Sequence, residues 1–150
     1  MGGLGHKYKR EVERLLARAI GVKRPAKGVQ HNPTKKERWF VACGVGRLDK
    51  MTPADAIAFN NGAILAFVFG GSADEEIRHW SAGVRWSCGW SLHFHFAPDD
   101  ERWPIHPAIH YQFTCPPAGS PLAPPPYADW RPPASVDAIE WIEWAFAHLV

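Results

Sequence analysis

The stretch from Trp86 to Cys115, WSCGWSLHFHFAPDDERWPIHPAIHYQFTC, decides the fold. From Val84 to Phe96 apolar and polar residues alternate, with Val84, Trp86, Cys88, Trp90, Leu92, Phe94 and Phe96 on one side. Arg85, Ser87, Ser91, His93 and His95 fall on the other, which predicts a strand with one face in a core. After a connection rich in Asp, Arg, Trp and Pro, alternation resumes with Ile109, Tyr111 and Phe113 against His110, Gln112 and Thr114. The second strand folds back antiparallel on the first, so that the two aromatic rows share one face.

Downstream of this hairpin, residues 116–133 (PPAGSPLAPPPYADWRPP) hold too much proline for a helix or a central strand and read as an extended loop. Ser135 then caps a last helix from Val136 to Leu149, whose stripe is Val136, Ile139, Ile142, Phe146 and Leu149. Trp141 and Trp144 widen that stripe, which suggests a partner surface or cover from the Pro-rich loop. Upstream, Ala63 to Phe69 (AILAFVF) between Gly62 and Gly70 predicts a buried strand. Ser72 and Glu75 have capping-box spacing for a helical turn from Ala73 to His79. Thr52, Pro53 and Asp55 open a short helix ending near Asn60 to Gly62, and another strand is expected from Arg38 to Val45.

Residues 22–36 carry Pro25, Gly28 and Pro33 among basic residues and read as a mobile connection. Before them, Tyr8, Val12, Leu15, Leu16, Ala19 and Ile20 recur at helical spacing from Lys7 to Ile20, opposite Lys9, Arg10, Glu13, Arg14 and Arg18. The expected architecture is α+β: a four-stranded antiparallel meander with an N-terminal and a C-terminal helix on one face, in a single domain over residues 1–150.

Composition bounds the function. At 46% hydrophobic, with eight Trp and eight Phe, the chain suits an aromatic-rich core, and Trp39, Trp80, Trp86 and Trp90 are expected there. No apolar run approaches the about 20 residues of a membrane helix. The start MGGLGHKYKR lacks a signal-peptide stretch, so a cytoplasmic protein with no membrane partner is expected. Cys43, Cys88 and Cys115 are odd in number without CxxC spacing, which predicts free thiols. Charge is uneven: residues 1–50 hold 13 Lys and Arg against 4 Asp and Glu, and the remainder 4 against 11. A basic block of this kind suits an acidic partner or a solvated helix face. Without interleaved exposed aromatics or a nucleic-acid motif, nucleic acid is not the expected partner.

The run WSLHFHFAPDDERWP, with Trp103 and Pro104 closing it, then Pro107, Ile109, Tyr111, Phe113 and Thr114, and finally Trp130, Arg131 and Pro132 before the last helix, resembles the ubiquitin-conjugating (E2-like, UBC/RWD-like) family. That family places Phe-Pro-x-x-Tyr-Pro at the end of its third strand, Val-x-Phe-x-Thr in its fourth, and Trp-x-Pro before its second helix. The chain has no His-Pro-Asn triplet; His106, Pro107 and Ala108 precede strand four, and Cys115 follows it directly. It also ends without the family's two further helices, which resembles reduced bacterial members found in antiphage operons. The resemblance implies a transferase that carries an acyl group as a cysteine thioester. It implies as partner a nucleotidyltransferase, or a ubiquitin-like or ubiquitin-activating (E1-like) protein.

Cys115 is the candidate nucleophile, because a thiol at a strand end beside a loop is accessible to an acyl donor and a large amine. Backbone amides of Ala118, Gly119 and Ser120, with His110, are the candidate oxyanion donors; Pro116 and Pro117 have no amide hydrogen. In the family the first helix docks on the activating enzyme, so Lys7, Arg10, Arg14 and Arg18 are candidate partner contacts, with Trp141 and Trp144 on the last helix. A noncatalytic adaptor is the first alternative. A second is a metal-dependent hydrolase on His93, His95 and His110, with His106 in the intervening loop and Asp99 or Asp100 adding a carboxylate. No HExxH motif supports it, and neither a metal nor a cofactor is expected.

Overall fold

Helical spacing places Tyr8, Val12 and Leu16 on one line of α1 (Leu4–Arg18), and all three are buried together with Gly5. Lys7, Arg10, Arg14 and Arg18 stand on the exposed side. The helix ends where the Ala19 amide donates to the Leu15 carbonyl, and Gly21 then takes φ +76°, a left-handed value that glycine adopts freely. These features belong to a computed structural model that describes residues 3–32, 38–44, 47–72, 77, 79–96, 109–116, 119 and 137–148.

The described residues form an α+β fold with one antiparallel sheet of eight strands, not four. Along the chain these are β1 (Val22–Lys23), β2 (Gln30–Asn32), β3 (Arg38–Cys43), β4 (Ile57–Phe59), β5 (Ile64–Ser72), β6 (His79–Arg85), β7 (Ser91–Phe96) and β8 (Ile109–Thr114). From β5 the sheet runs β6, β7, β8 on one side; on the other, β3 and β4 share the same edge of β5. Cys43 pairs with Phe67 and Ile57 with Leu65, so β3 and β4 act as one interrupted strand. The chain leaves at Gly44, where φ is +80° and an added Cβ would meet Ala66 Cβ at 2.9 Å, and it rejoins at Ile57. Between them a single 3-10 turn, Leu48–Lys50, crosses the sheet.

Three expectations change, and a fourth lies mostly outside the described residues. The supposed connection over residues 22–36 contains β1 and β2, strands too short to show periodicity. The helix expected after Thr52 is a turn, in which the Asp55 carboxylate accepts from the Thr52 amide and hydroxyl, followed by β4. The strand expected from Val84 to Phe96 is two strands joined at 86–90, with Trp86 N–H donating to Trp90 O and Gly89 at φ +92°. Trp86 and Trp90 both pack against the core, so alternation keeps its phase through the turn. Of the turn expected over 73–79, His79 lies in β6 and residues 73–76 and 78 fall outside the described residues.

Helix α2 (Ala138–His148) starts at Asp137, whose carboxylate accepts from the Ile139 amide. Ser135, Val136 and Leu149 lie outside the described residues. Ile139, Ile142 and Phe146 face inward as expected. Trp141 is a correction: it is 0% exposed, so it offers no partner surface and instead packs 5.4 Å from Trp80 and 5.7 Å from Phe94 by ring centroids. Trp144, 6.1 Å from Trp141, is only partly buried. Tyr8 stacks on Trp39 at 5.1 Å and meets Phe69 edge-on at 5.9 Å. Both helices therefore cover the face carrying Leu65, Phe67 and Phe69 of β5 and Leu92 and Phe94 of β7. Among the described residues no helix is long and apolar enough to cross a membrane.

Candidate functional site

The face of the sheet turned away from the helices is built by the same alternation read in the opposite phase. Strand register lays its residues in cross-strand rows. One row runs Ala66, Gly83, His93, Gln112 from β5 to β8, and the next runs Ala42, Val68, Ser81, His95, His110 from β3 to β8. The β3 to β6 half of these rows is mostly Ala, Gly and Ser, so the floor lies low there. On one bank rises the 47–56 segment, with Leu48 and Met51 packed on Ala56, Ile64 and Ala66 in a cluster apart from the main core. The Arg85 guanidinium donates to the carbonyls of Leu48 and Met51 and ties this bank to β6. Ser91, which pairs with Arg85, and then Thr114 and Cys115 also line the space. The space enclosed is a concavity of about 1310 Å³.

His93 and His95 line this concavity, as their polar-face positions predict. His93 is half-buried, and loss of hydration lowers its pKa, so the imidazole is neutral near pH 7. The third histidine of the proposed metal set, His110, pairs with His95 through the backbone, but its side chain is outside the described residues, as are Asp99, Asp100 and His106. Among the described residues no group of three His, Cys, Asp or Glu side chains is placed to hold a metal ion.

The three thiols differ. Cys43 is 0% exposed, and burial pushes its pKa up to about 12, which makes it a core side chain. Cys88 is half-buried in the turn between β6 and β7, and Cys115 is exposed just beyond β8. An added Cβ on Gly89 would stand 3.1 Å from Pro116 Cβ, so that turn braces the chain directly after Cys115. Of the expected oxyanion donors, Gly119 has a left-handed φ of +87°, while Ala118 and Ser120 lie outside the described residues.

A smaller concavity of about 490 Å³ opens at the β2 edge, lined by Lys9, Lys27, Val29, Gln30, His31 and Phe40. His6 and His31 approach to 5.5 Å between ring centroids. Burial, then the charges of Lys9 and His6, lower the His31 pKa, and Glu13 acts the other way. The sequence reading missed this pocket and the small-residue floor. Ala42, Ala66, Ser81 and Gly83 were visible as short side chains on the solvent phase of strands, but only the register brings them together.

No protein-family model matches this chain, and comparison with curated proteins and with solved structures gives no match either.

Proposed function

We propose that the protein is a cysteine-dependent acyl transferase of E2-like kind that works at the Cys115 end of the concave sheet face. The observation that carries this reading is the contrast among the thiols: Cys115 is exposed on the margin of the concavity, whereas Cys43 is buried with its pKa near 12. In the first step the Cys115 thiolate attacks the carbonyl carbon of an activated acyl donor and expels the donor's leaving group, forming a thioester. In the second an amine of a partner protein attacks that carbonyl, the C–S bond breaks, and the amine proton returns the thiol. The order of a first helix, an antiparallel meander and a closing helix supports the E2-like reading. A nucleotidyltransferase, or a ubiquitin-like or E1-like protein, is the partner that reading implies, with the exposed Lys7, Arg10, Arg14 and Arg18 and the partly buried Trp144 as its contacts.

The test is to express wild type and Cys115→Ala with their genomic neighbours and compare them on non-reducing gels with and without thiol reductant. A heavier species that reductant removes and the variant lacks is expected, with mass spectrometry identifying an acyl rather than a disulfide link. Identical monomers for both proteins would discard the transferase.

One observation favours a second reading, a noncatalytic binding protein of the same fold. The small-residue floor and the bank tied down by Arg85 shape a concavity without any use of Cys115. Unchanged cellular function in Cys115→Ala would select it.

A further inference from the structure

Arg85 stands half-buried in the concave face without a counter-charge. Its guanidinium donates to the carbonyls of Leu48 and Met51, which carry no net charge, and these bonds use only some of its N–H donors. Among the described residues it makes no ion pair. The other arginine of the concavity differs: Arg47 grips both carboxylate oxygens of Asp49, which lines the same space, so that pair is neutral. We infer that the concavity binds a small apolar monocarboxylate, its carboxylate held by Arg85 with His93 and Ser91 and its apolar body laid past Leu48 toward Val68.

Register puts the head-site residues together on one face. Arg85 pairs with Ser91, and Gly83, two residues along β6, pairs with His93. An added Cβ at Gly83 would stand 3.6 Å from His93 Nδ1, so the imidazole leans over β6, the strand that carries Arg85. Neither the His93 ring nor the Ser91 hydroxyl makes a hydrogen bond to a described residue, and both line the concavity. Burial holds His93 toward its neutral form, so its ring N–H donates without adding a second charge. The head site therefore offers several donors around a single positive charge. A carboxylate matches that set, whereas a doubly charged phosphate would leave charge uncompensated against apolar surface.

The apolar body follows from the floor of the same hollow. Val68 is 37% exposed in the centre of the sheet, between Ala42 on β3 and Ser81 on β6, whose short side chains cannot cover it. Ile64 pairs with Arg85, so Val68 lies four residues along β5 from the Arg85 row, about 13 Å at the rise of a strand. Leu48 and Ala66, packed together, line the stretch between. A hollow of about 1310 Å³ with apolar residues and a few convergent polar groups has the form of a small-molecule site. Its span from cation to exposed valine is close to the length of decanoate.

The test uses the full chain and probes read by calorimetry below any micelle concentration: decanoate, decanol, acetate and decyl phosphate. Decanoate is expected to bind about tenfold or more tighter than each of the others. In the wild-type chain decanoate should shift the Arg85 Nε–H and His93 imidazole resonances, and decanol should leave the Arg85 Nε–H in place. Val68→Asn, at an exposed position, should weaken decanoate several-fold and leave acetate unchanged. Arg85→Gln should bring decanoate close to decanol; because it also loosens the 47–56 segment, the wild-type resonances carry the assignment of the head. Equal binding of decanoate and decanol, or an unmoved Arg85 Nε–H, would overturn the head site. Equal binding of decanoate and acetate, or no effect of Val68→Asn, would overturn the apolar site. Tighter binding of decyl phosphate would overturn the carboxylate class, and no saturable binding of decanoate would overturn the whole inference. None of these measurements reads a covalent step, so their outcome is independent of the Cys115 experiment.

Discussion

Leu48 rests directly on Gly83: a Cβ added at position 83 would stand 3.0 Å from Leu48 Cδ2. The 47–56 segment can therefore lie on β6 only because that position has almost no side chain, and the depth of the concavity depends on the same absence. Gly83→Ala asks only the free end of Leu48 to shift, and should cost less than about 1 kcal/mol in urea unfolding. Gly83→Phe must displace Leu48 or fill the concavity, and should cost about 1–3 kcal/mol. A Phe variant as stable as wild type would mean that the segment does not rest there.

Arg85 holds the same segment from below through its two hydrogen bonds to backbone carbonyls of Leu48 and Met51. Arg85→Met keeps most of the stem but removes both charged donors, which should lower stability by about 2 kcal/mol. The loss should be local: proteolysis within residues 47–56 should accelerate more than global unfolding does. Uniform loss, with no new cleavage there, would show that Arg85 acts elsewhere.

How far these features are legible in the sequence depends on the range of the interactions that make them. The rows Leu92, Phe94 and His93, His95 follow from period-two alternation, and Cys115 at a strand end follows from where alternation stops. The turn at 86–90 was hidden because Trp86 and Trp90 both pack on the core and keep the phase that a continuous strand would have. The interrupted strand β3–β4 was hidden because what makes it one strand is the shared edge of β5, a pairing no local pattern carries. Residues 30–32 show no periodicity, yet Gln30, His31 and Asn32 pair with Ala42, Val41 and Phe40. The concave site lies beyond single-segment reading for the same reason, since its floor comes from β3, β5 and β6 in register.

Trp141 and Trp144 are three residues apart on α2 and should behave differently. Trp141 is fully buried against the stacked pair Trp80 and Phe94, so Trp141→Ala should cost about 3–5 kcal/mol by loss of contacts and creation of a cavity. Trp144 is only partly buried, and Trp144→Ala should cost about 1 kcal/mol, near the centre of single-mutant effects. Thermal unfolding of the two variants separates a core residue from a surface one. Similar losses would contradict the packing of α2.

Stability should fall as the solution is acidified, with His93 and His31 contributing. Both have folded-state pKa values lowered from 6.5, His93 by burial and His31 by burial and then the charges of Lys9 and His6. The unfolded chain therefore takes up protons first. Their contribution is fully present above about pH 6.5 and declines as pH falls through that value toward the folded pKa values. Urea midpoints between pH 8 and pH 5 measure the decline, and His93→Gln should make it shallower. An unchanged slope in that variant would place the proton-sensitive group elsewhere.

Thiol reactivity discriminates the cysteines without assuming any activity. With an aromatic disulfide reagent at pH 8, Cys115 should react first because it is exposed, and half-buried Cys88 more slowly. Cys43 should stay unmodified until the chain unfolds, because its sulfur is inside the core with a pKa near 12 and its Sγ points to the Gly28 carbonyl at 4.0 Å. Mass spectrometry of peptides at successive times assigns each phase. Because reagent access and thiolate fraction both act against Cys43, its modification in the native protein should be slower than that of Cys115 by several orders of magnitude. Comparable rates would mean that β3 opens readily from β5, and the contrast between thiols on which the transferase reading rests would be lost.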